Sequence, residues 1–393
     1  MSVTAAAGFR AAGVAAGLKA EAKDVALVVN DGPLRHASAV FTTNKVAAAP
    51  VIWSRQVISD GRADAVVLNS GGANACTGAP GFADTHTTAE ETAERLSATG
   101  MDVSAMDVLV CSTGLIGERL DMPALLSGVH QAVGALSAEQ EAAAAAAEAI
   151  RTTDTVSKTE TRTGVGFTVG GMAKGAGMLA PGMATMLSAI TTDAVISQQD
   201  LDAALREAVR ISFNRADSDG CMSTNDTVVA LASGAHPEAD PSGVDLSEFQ
   251  AALNEVCASL AAQLIADAEG AHHEIAIRTV NALTEAQAEE AGRAVARSNL
   301  FKTAIFGRDP NWGRILSAVG TTEAEFDPTT IDVAVNDVWI CRAGGIGEDR
   351  SRVDLSGRQV EVVIDLKAGE AEATILTNDL THDYVHENSA YSS

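Results

Sequence analysis

Aromatic residues are scarce in this chain. Three tryptophans, two tyrosines and nine phenylalanines make up 4% of 393 residues, against 46% hydrophobic residues in all. The interior must therefore be aliphatic, built of alanine, valine and leucine. Basic residues are also few, 27 against 52 acidic, for a net charge of −25. Such a surface is repelled by nucleic acid and by anionic membranes, so neither is expected as a partner. Solubility is the simplest meaning of the charge, and it says nothing about small acidic substrates. The five cysteines, Cys76, Cys111, Cys221, Cys257 and Cys341, form no Cys-x-x-Cys pair. An odd number without framework spacing points to reduced thiols and a cytoplasmic protein. Cys111 and Cys257 read as small core residues. Among the eight histidines only His272 and His273 are adjacent. Consecutive strand residues face opposite ways, so this pair is a poor ligand set, and no metal is expected. No apolar run is long enough to span a bilayer, and no secretory signal is expected at the amino terminus.

What is present fits an α/β protein, either two ordinary domains or one large unit with a substantial core. Short β-rich runs are expected at 25–30, 37–43, 49–54 and 64–69. The last of them enters a glycine-rich loop, Asn69 to Gly78, which lacks P-loop spacing and reads as a turn supporting a neighbouring site. Helical periodicity covers 84–98, and two helical segments fill 122–150, the second starting at Ser137. Residues 107–111 form an apolar strand running into Thr113 and Gly114. A hydroxyl and a backbone amide at a strand end suit donation to a developing oxyanion; a plain strand-to-turn glycine is the other reading. Residues 166–171 read as a strand, 199–212 as an amphipathic helix with Leu201, Ala204, Leu205 and Val209 on one face, and 246–266 as a long helix. Further elements are a strand from Glu274 to Val280, a helix at 284–297, and strands at 331–340, 359–365 and 372–376. The turn 309–314 offers Asn311, Trp312 and Arg314 either as braces of a site or as a structural corner.

The segment 174–187 stands apart. Three glycines and Pro181 between Lys174 and Gly182 rule out a regular helix, and a buried strand begins at Thr185. If the bond between Ala184 and Thr185 were cut, Thr185 would carry a free α-amine beside its own hydroxyl, the N-terminal-nucleophile form of a base-activated alcohol. From the residues alone, a structural hairpin with Thr185 as an ordinary strand residue is the better reading.

The string Lys-Gly-Ala-Gly-Met-Leu-Ala-Pro-x-Met-Ala-Thr-Met-Leu resembles the self-cleavage segment of the ornithine acetyltransferases, the glutamate N-acetyltransferase family of arginine biosynthesis. Similar strings recur in order along the whole chain: Gly-Phe-Arg-Ala-Ala-Gly-Val at 8–14, Asn-Ala-Cys-Thr-Gly at 74–78, Ser-Thr-Gly-Leu-Ile-Gly at 112–117, Ser-Thr-Asn-Asp-Thr at 223–227 and Asp-Pro-Asn-Trp-Gly-Arg at 309–314. Where the family usually has a polar residue, this chain has Gly182.

The resemblance implies a self-processed αββα-type sandwich. It divides the chain into an α fragment, 1–184, and a β fragment, 185–393, which together form an (αβ)₂ complex. It assigns Thr185 as nucleophile, Thr113 and Gly114 as oxyanion hole, and the Ala184–Thr185 bond as the cleavage site. Thr152, Thr153, Lys174, Glu269, Asn388 and the terminal Ser393 become substrate contacts. On charge, Lys174 suits the substrate carboxylate and Glu269 the side-chain ammonium. The implied reaction moves an acetyl group from N2-acetyl-L-ornithine to L-glutamate through an acetyl-Thr185 intermediate, without a bound cofactor. It leaves open whether acetyl-CoA is a second donor. The alternative is a self-processing aminopeptidase or amidase of the β-peptidyl aminopeptidase kind, in which water accepts the acyl group.

Overall fold

The computed structural model describes residues 2–180 and 186–390. Thr185, Ala184 and Ser393 lie outside the described residues. Three sheets organise the rest. The first runs Phe9–Val14, Val25–Asn30, Ala65–Asn69, Val108–Ser112 in spatial order, with only the last pair parallel. The middle sheet runs His36–Phe41, Thr227–Ala232, Leu187–Thr192, Phe167–Lys174, Lys158–Gly164, again with one parallel pair, Leu187–Thr192 beside Thr227–Ala232.

Strands buried on both faces explain how these two sheets stack. Every residue of Leu187–Thr192 and Thr227–Ala232 is buried. Leu187, Ala189, Val229 and Leu231 join one core with Leu27, Val29, Val66 and Leu68 of the first sheet. The alternate residues Ile190, Val228 and Ala230 pack instead against Leu201, Leu205, Leu253 and Leu260. Those leucines belong to the helices Gln198–Ile211 and Leu246–Ala266. On the far side of the first sheet lie Met122–Gly134 and Gln140–Ala149, whose Leu125, Val129 and Ala146 complete the core. Helices, sheet, sheet, helices is the αββα sandwich. The period-2 alternation of apolar side chains on the middle strands is its cause.

A third sheet stands apart, ordered Gly345–Ile346, Val338–Arg342, Asp332–Val335, Gln359–Asp365, Glu274–Ala282, Ala371–Asn378. It has its own core with Ala288, Val295, Phe301 and Ile315.

Three expectations are corrected here. Residues 49–54 are not a strand but the start of the helix Ala49–Val57. Pro50 sits in its first turn, where a missing N–H does no harm. Pro50, Trp53, Ser54 and Val57 are buried at helical spacing. The run 331–340 is a hairpin, Asp332–Val335 and Val338–Arg342, rather than one strand. Asn336 and Asp337 turn it with φ of 44° and 66°, the left-handed pair that a two-residue hairpin loop requires. The second helical segment of 122–150 begins later than Ser137, with Glu139 at its cap position. Among the described residues no helix is long and apolar enough to cross a membrane.

Candidate active site

Strand Val108–Ser112 delivers Thr113 and Gly114 to the carboxyl end of the first sheet. Thr113 is 1% exposed, and its N–H donates to the Asn69 carbonyl at 3.0 Å. Gly114 has φ of +126°, and a Cβ there would lie 2.9 Å from the Gly72 backbone, so only glycine fits. The pairing is stapled from the middle sheet. The buried Asn225 amide donates to the Ala73 carbonyl at 2.6 Å and the Ser112 carbonyl at 2.8 Å. One side chain thus fixes the glycine-rich loop and the strand end together.

Lys174 ends the strand Phe167–Lys174 and is 1% exposed. Its Nζ donates to Thr113 Oγ1 at 3.1 Å. Burial pushes the Lys174 amine below its ordinary pKa; Asp154, Asp226 and Glu269 oppose that shift and Lys158 adds to it. Asp154 shows the reverse balance. Burial disfavours its carboxylate, yet Lys174 and Lys158, with hydrogen bonds from Lys158 and the Gly175 N–H, hold it down to about 2. The Lys158 ammonium, fully buried, lies 2.6 Å from both Asp154 and Asp267.

Across the cavity stands Glu269. The Thr153 hydroxyl donates to its Oε1 at 2.7 Å and the Asn388 amide to its Oε2 at 3.0 Å. Asn388 comes from the helix His382–Ala390, which reaches the site. Gly177 permits this approach, since a Cβ there would lie 2.6 Å from Glu269 Oε2. The Thr152 N–H donates to Asp154 Oδ2 at 3.0 Å.

Thr113, Gly114, Thr152, Thr153, Lys174, Glu269 and Asn388 all line one cavity of about 270 Å³. Those are all the expected site residues among the described ones. Ser70 and Gly71, from the glycine-rich loop expected to support a site, line it too, as do Lys19, Ile116 and Met178, which were not anticipated. Lys19 carried no signal, because its Nζ is brought in by the Arg151 carbonyl, 132 residues away and 2.7 Å distant. A neighbouring cavity of about 380 Å³ shares Glu269 but holds neither Thr113 nor Lys174. Asn311, Trp312 and Arg314 line neither cavity. They are the corner that starts the helix Trp312–Val319, where Asn311 accepts the Arg314 N–H. Among the described residues no group of three or more His, Cys, Asp or Glu is placed to hold a metal ion.

The family profile that matches this chain is the ArgJ family, over residues 10–393. The chain belongs to the ArgJ family. Whole-length relatives agree. The arginine biosynthesis bifunctional protein ArgJ of Thermobifida fusca is 59% identical over 394 residues, covering 100% of both chains. Its counterpart in Streptomyces coelicolor is 59% identical over 396 residues, again covering 100% of both. Among solved structures, ornithine acetyltransferase complexed with ornithine from Mycobacterium tuberculosis is 58% identical; the match covers 46% of this chain and 94% of that one, at a TM-score of 0.45. As an ArgJ-family member this protein is an arginine-biosynthesis enzyme, a glutamate N-acetyltransferase of the ornithine acetyltransferase type. Membership favours acyl transfer between amino acids over the peptide hydrolysis kept as the alternative.

Proposed function

We propose that the chain cuts itself between Ala184 and Thr185 and then shuttles an acetyl group through the new amino-terminal threonine. The Thr185 hydroxyl attacks the Ala184 carbonyl and displaces its own nitrogen, and water hydrolyses the resulting ester, giving fragments 1–184 and 185–393. The freed α-amine has an ordinary pKa of roughly 7.7–8.0, close to working pH, so it serves as base for its own hydroxyl. The hydroxyl attacks the acetyl carbonyl of N-acetylornithine, ornithine leaves with a proton, and the amine of glutamate then takes the acetyl group from acetyl-Thr185. Thr113 and the Gly114 N–H carry the negative oxygen in each step. Lys174 takes the substrate carboxylate and Glu269 the side-chain ammonium, with Thr152, Thr153, Asn388 and Ser393 as further contacts.

One observation carries this reading. Residues from five distant stretches, 113–114, 152–153, 174, 269 and 388, share one cavity, in which a buried ammonium meets the oxyanion hydroxyl at 3.1 Å. Every step uses side chains and the new amine, so no cofactor is needed. The fragments stay together as an (αβ)₂ complex in the cytoplasm. The test is mass spectrometry of the purified protein before and after N-acetylornithine. Two fragments are expected, with one acetyl group added to 185–393; a single active 393-residue chain, or no acetyl adduct, overturns the proposal. Assaying acetylglutamate formation separately with N-acetylornithine and with acetyl-CoA identifies the donors.

A further inference from the structure

Among the described residues, the charged side chains lining the cavity of about 270 Å³ are Lys19, Lys174 and Glu269, two cations and one anion. N-acetylornithine carries one carboxylate and one ammonium, which Lys174 and Glu269 match between them. Glutamate carries two carboxylates, and the place where Glu269 offers to pair an ammonium repels the second of them. A pocket that serves both molecules in turn calls for a second cation, and Lys19 supplies one.

Lys19 is delivered to the cavity by a braced loop. Asp24 is fully buried, and its carboxylate accepts the N–H groups of Ala16, Gly17, Leu18 and Lys19 at 2.6, 3.1, 2.6 and 3.0 Å. The loop lies against the glycine-rich loop of the site, where a Cβ on Gly71 would come 2.3 Å from Leu18 Cβ. From there the half-buried Lys19 donates to the Arg151 carbonyl at 2.7 Å. An ammonium has three donors; among the described residues this one has that single acceptor and makes no ion pair. Burial pushes its amine below the ordinary pKa, with Asp24 and Asp154 opposing, so a bound carboxylate would be welcome there. Arg151 stands two residues from Thr153, whose hydroxyl holds Glu269. Two residues of chain span at most about 7 Å, so cation and anion flank one short segment.

We propose that Lys19 selects the acceptor: its ammonium binds the side-chain carboxylate of glutamate, while Lys174 keeps the α-carboxylate common to both substrates. Ornithine and glutamate place their charged side-chain atoms the same number of bonds from Cα. A swing of that side chain between Glu269 and Lys19, across the segment 151–153, therefore tells donor from acceptor. Glu269 repels the carboxylate of the acceptor and Lys19 the ammonium of the donor, so each charge also rejects the wrong partner. Lys19 makes and breaks no covalent bond. This inference rests on the acetyl-transfer reading above.

The variant Lys19→Met keeps the reach of the side chain and removes its charge. Its KM for glutamate is expected to rise about 10–100-fold, the loss typical of a hydrogen bond between charged groups, while ornithine release from N-acetylornithine in a single turnover stays within about twofold. The preference for glutamate over glutamine as acceptor should fall by the same factor, and Lys19→Arg should restore most of it. An unchanged KM for glutamate, or equal losses in both half-reactions, overturns the proposal. Should Lys19→Met fail to fold, the wild-type protein decides. Limiting acetic anhydride labels Lys19, read by peptide mass spectrometry, and N-acetylglutamate is expected to protect it where N-acetylglutamine, which lacks the side-chain charge, does not. Protection by N-acetylglutamate no better than by N-acetylglutamine overturns the proposal. Failure of the acetyl-transfer reading looks different, because the wild type itself would then take up no acetyl group from N-acetylornithine.

Discussion

Thr113 sits between a donor and an acceptor. Its oxygen accepts a hydrogen bond from Lys174 Nζ at 3.1 Å, which leaves its own O–H for the oxyanion of the proposed reaction. A buried ammonium behind the hydroxyl strengthens that donation. Thr113→Val keeps the shape and deletes the relay. Acetyl transfer by the processed protein is expected to slow by about 10²–10³-fold, the loss typical for one oxyanion donor, measured as kcat. Asp154 makes the residue scale visible in stability. Its carboxyl, normally near 3.8, is held at about 2 in the folded protein by Lys174 and Lys158. A depressed carboxyl stabilises the fold above its unfolded pKa and loses that contribution as pH falls through the folded one. The two values correspond to about 2 kcal/mol, present at neutral pH and lost between about pH 4 and pH 2. Asp154→Asn takes a buried carboxylate away from Lys174 and Lys158, the latter keeping its pair with Asp267, and is expected to cost up to roughly 3–5 kcal/mol at pH 7, read by urea unfolding. The gap between variant and wild type should shrink as pH drops through that window.

Elements were legible where local signals agreed and opaque where they conflicted. Leu246–Ala266 matches its expected span, because Asp245 caps it by accepting from the Ser247 and Glu248 N–H groups and its apolar residues keep helical spacing. Ala49–Val57 reads as a strand because Val51 and Ile52 carry β propensity, whereas Pro50 in its first turn is compatible with a helix start. The hairpin at Asn336 and Asp337 was missed because Asn-Asp is a weaker turn pair than Asn-Gly. Asp337→Gly places the residue that prefers φ of 66° at that corner and is expected to raise the thermal midpoint slightly, checked by calorimetry. The site was legible for a different reason. Thr113, Lys174 and Glu269 follow from family resemblance, whereas composition and periodicity could not bring them together. What escaped was tertiary: Asn225 and Asp226 read only as a polar turn, and their duties depend on partners more than 35 residues away.

At the scale of the molecule, the proposed cut does not separate two bodies. In the middle sheet His36–Phe41 pairs with Thr227–Ala232, and Phe167–Lys174 pairs with Leu187–Thr192. Each pair takes one strand from before residue 184 and one from after it. The two fragments are therefore expected to migrate together on a sizing column in native buffer and to part only in denaturant. Independent elution in native buffer would contradict that interleaving. The same weave dictates an order of events. In the proposed scheme the polypeptide must finish folding before it is severed, because either product alone lacks two or three of that sheet's five strands. Synthesised from two separate genes, each half would emerge with naked strand edges, the raw material of aggregates. One continuous reading frame would then act as the template on which both halves are fitted, with the proposed scission following.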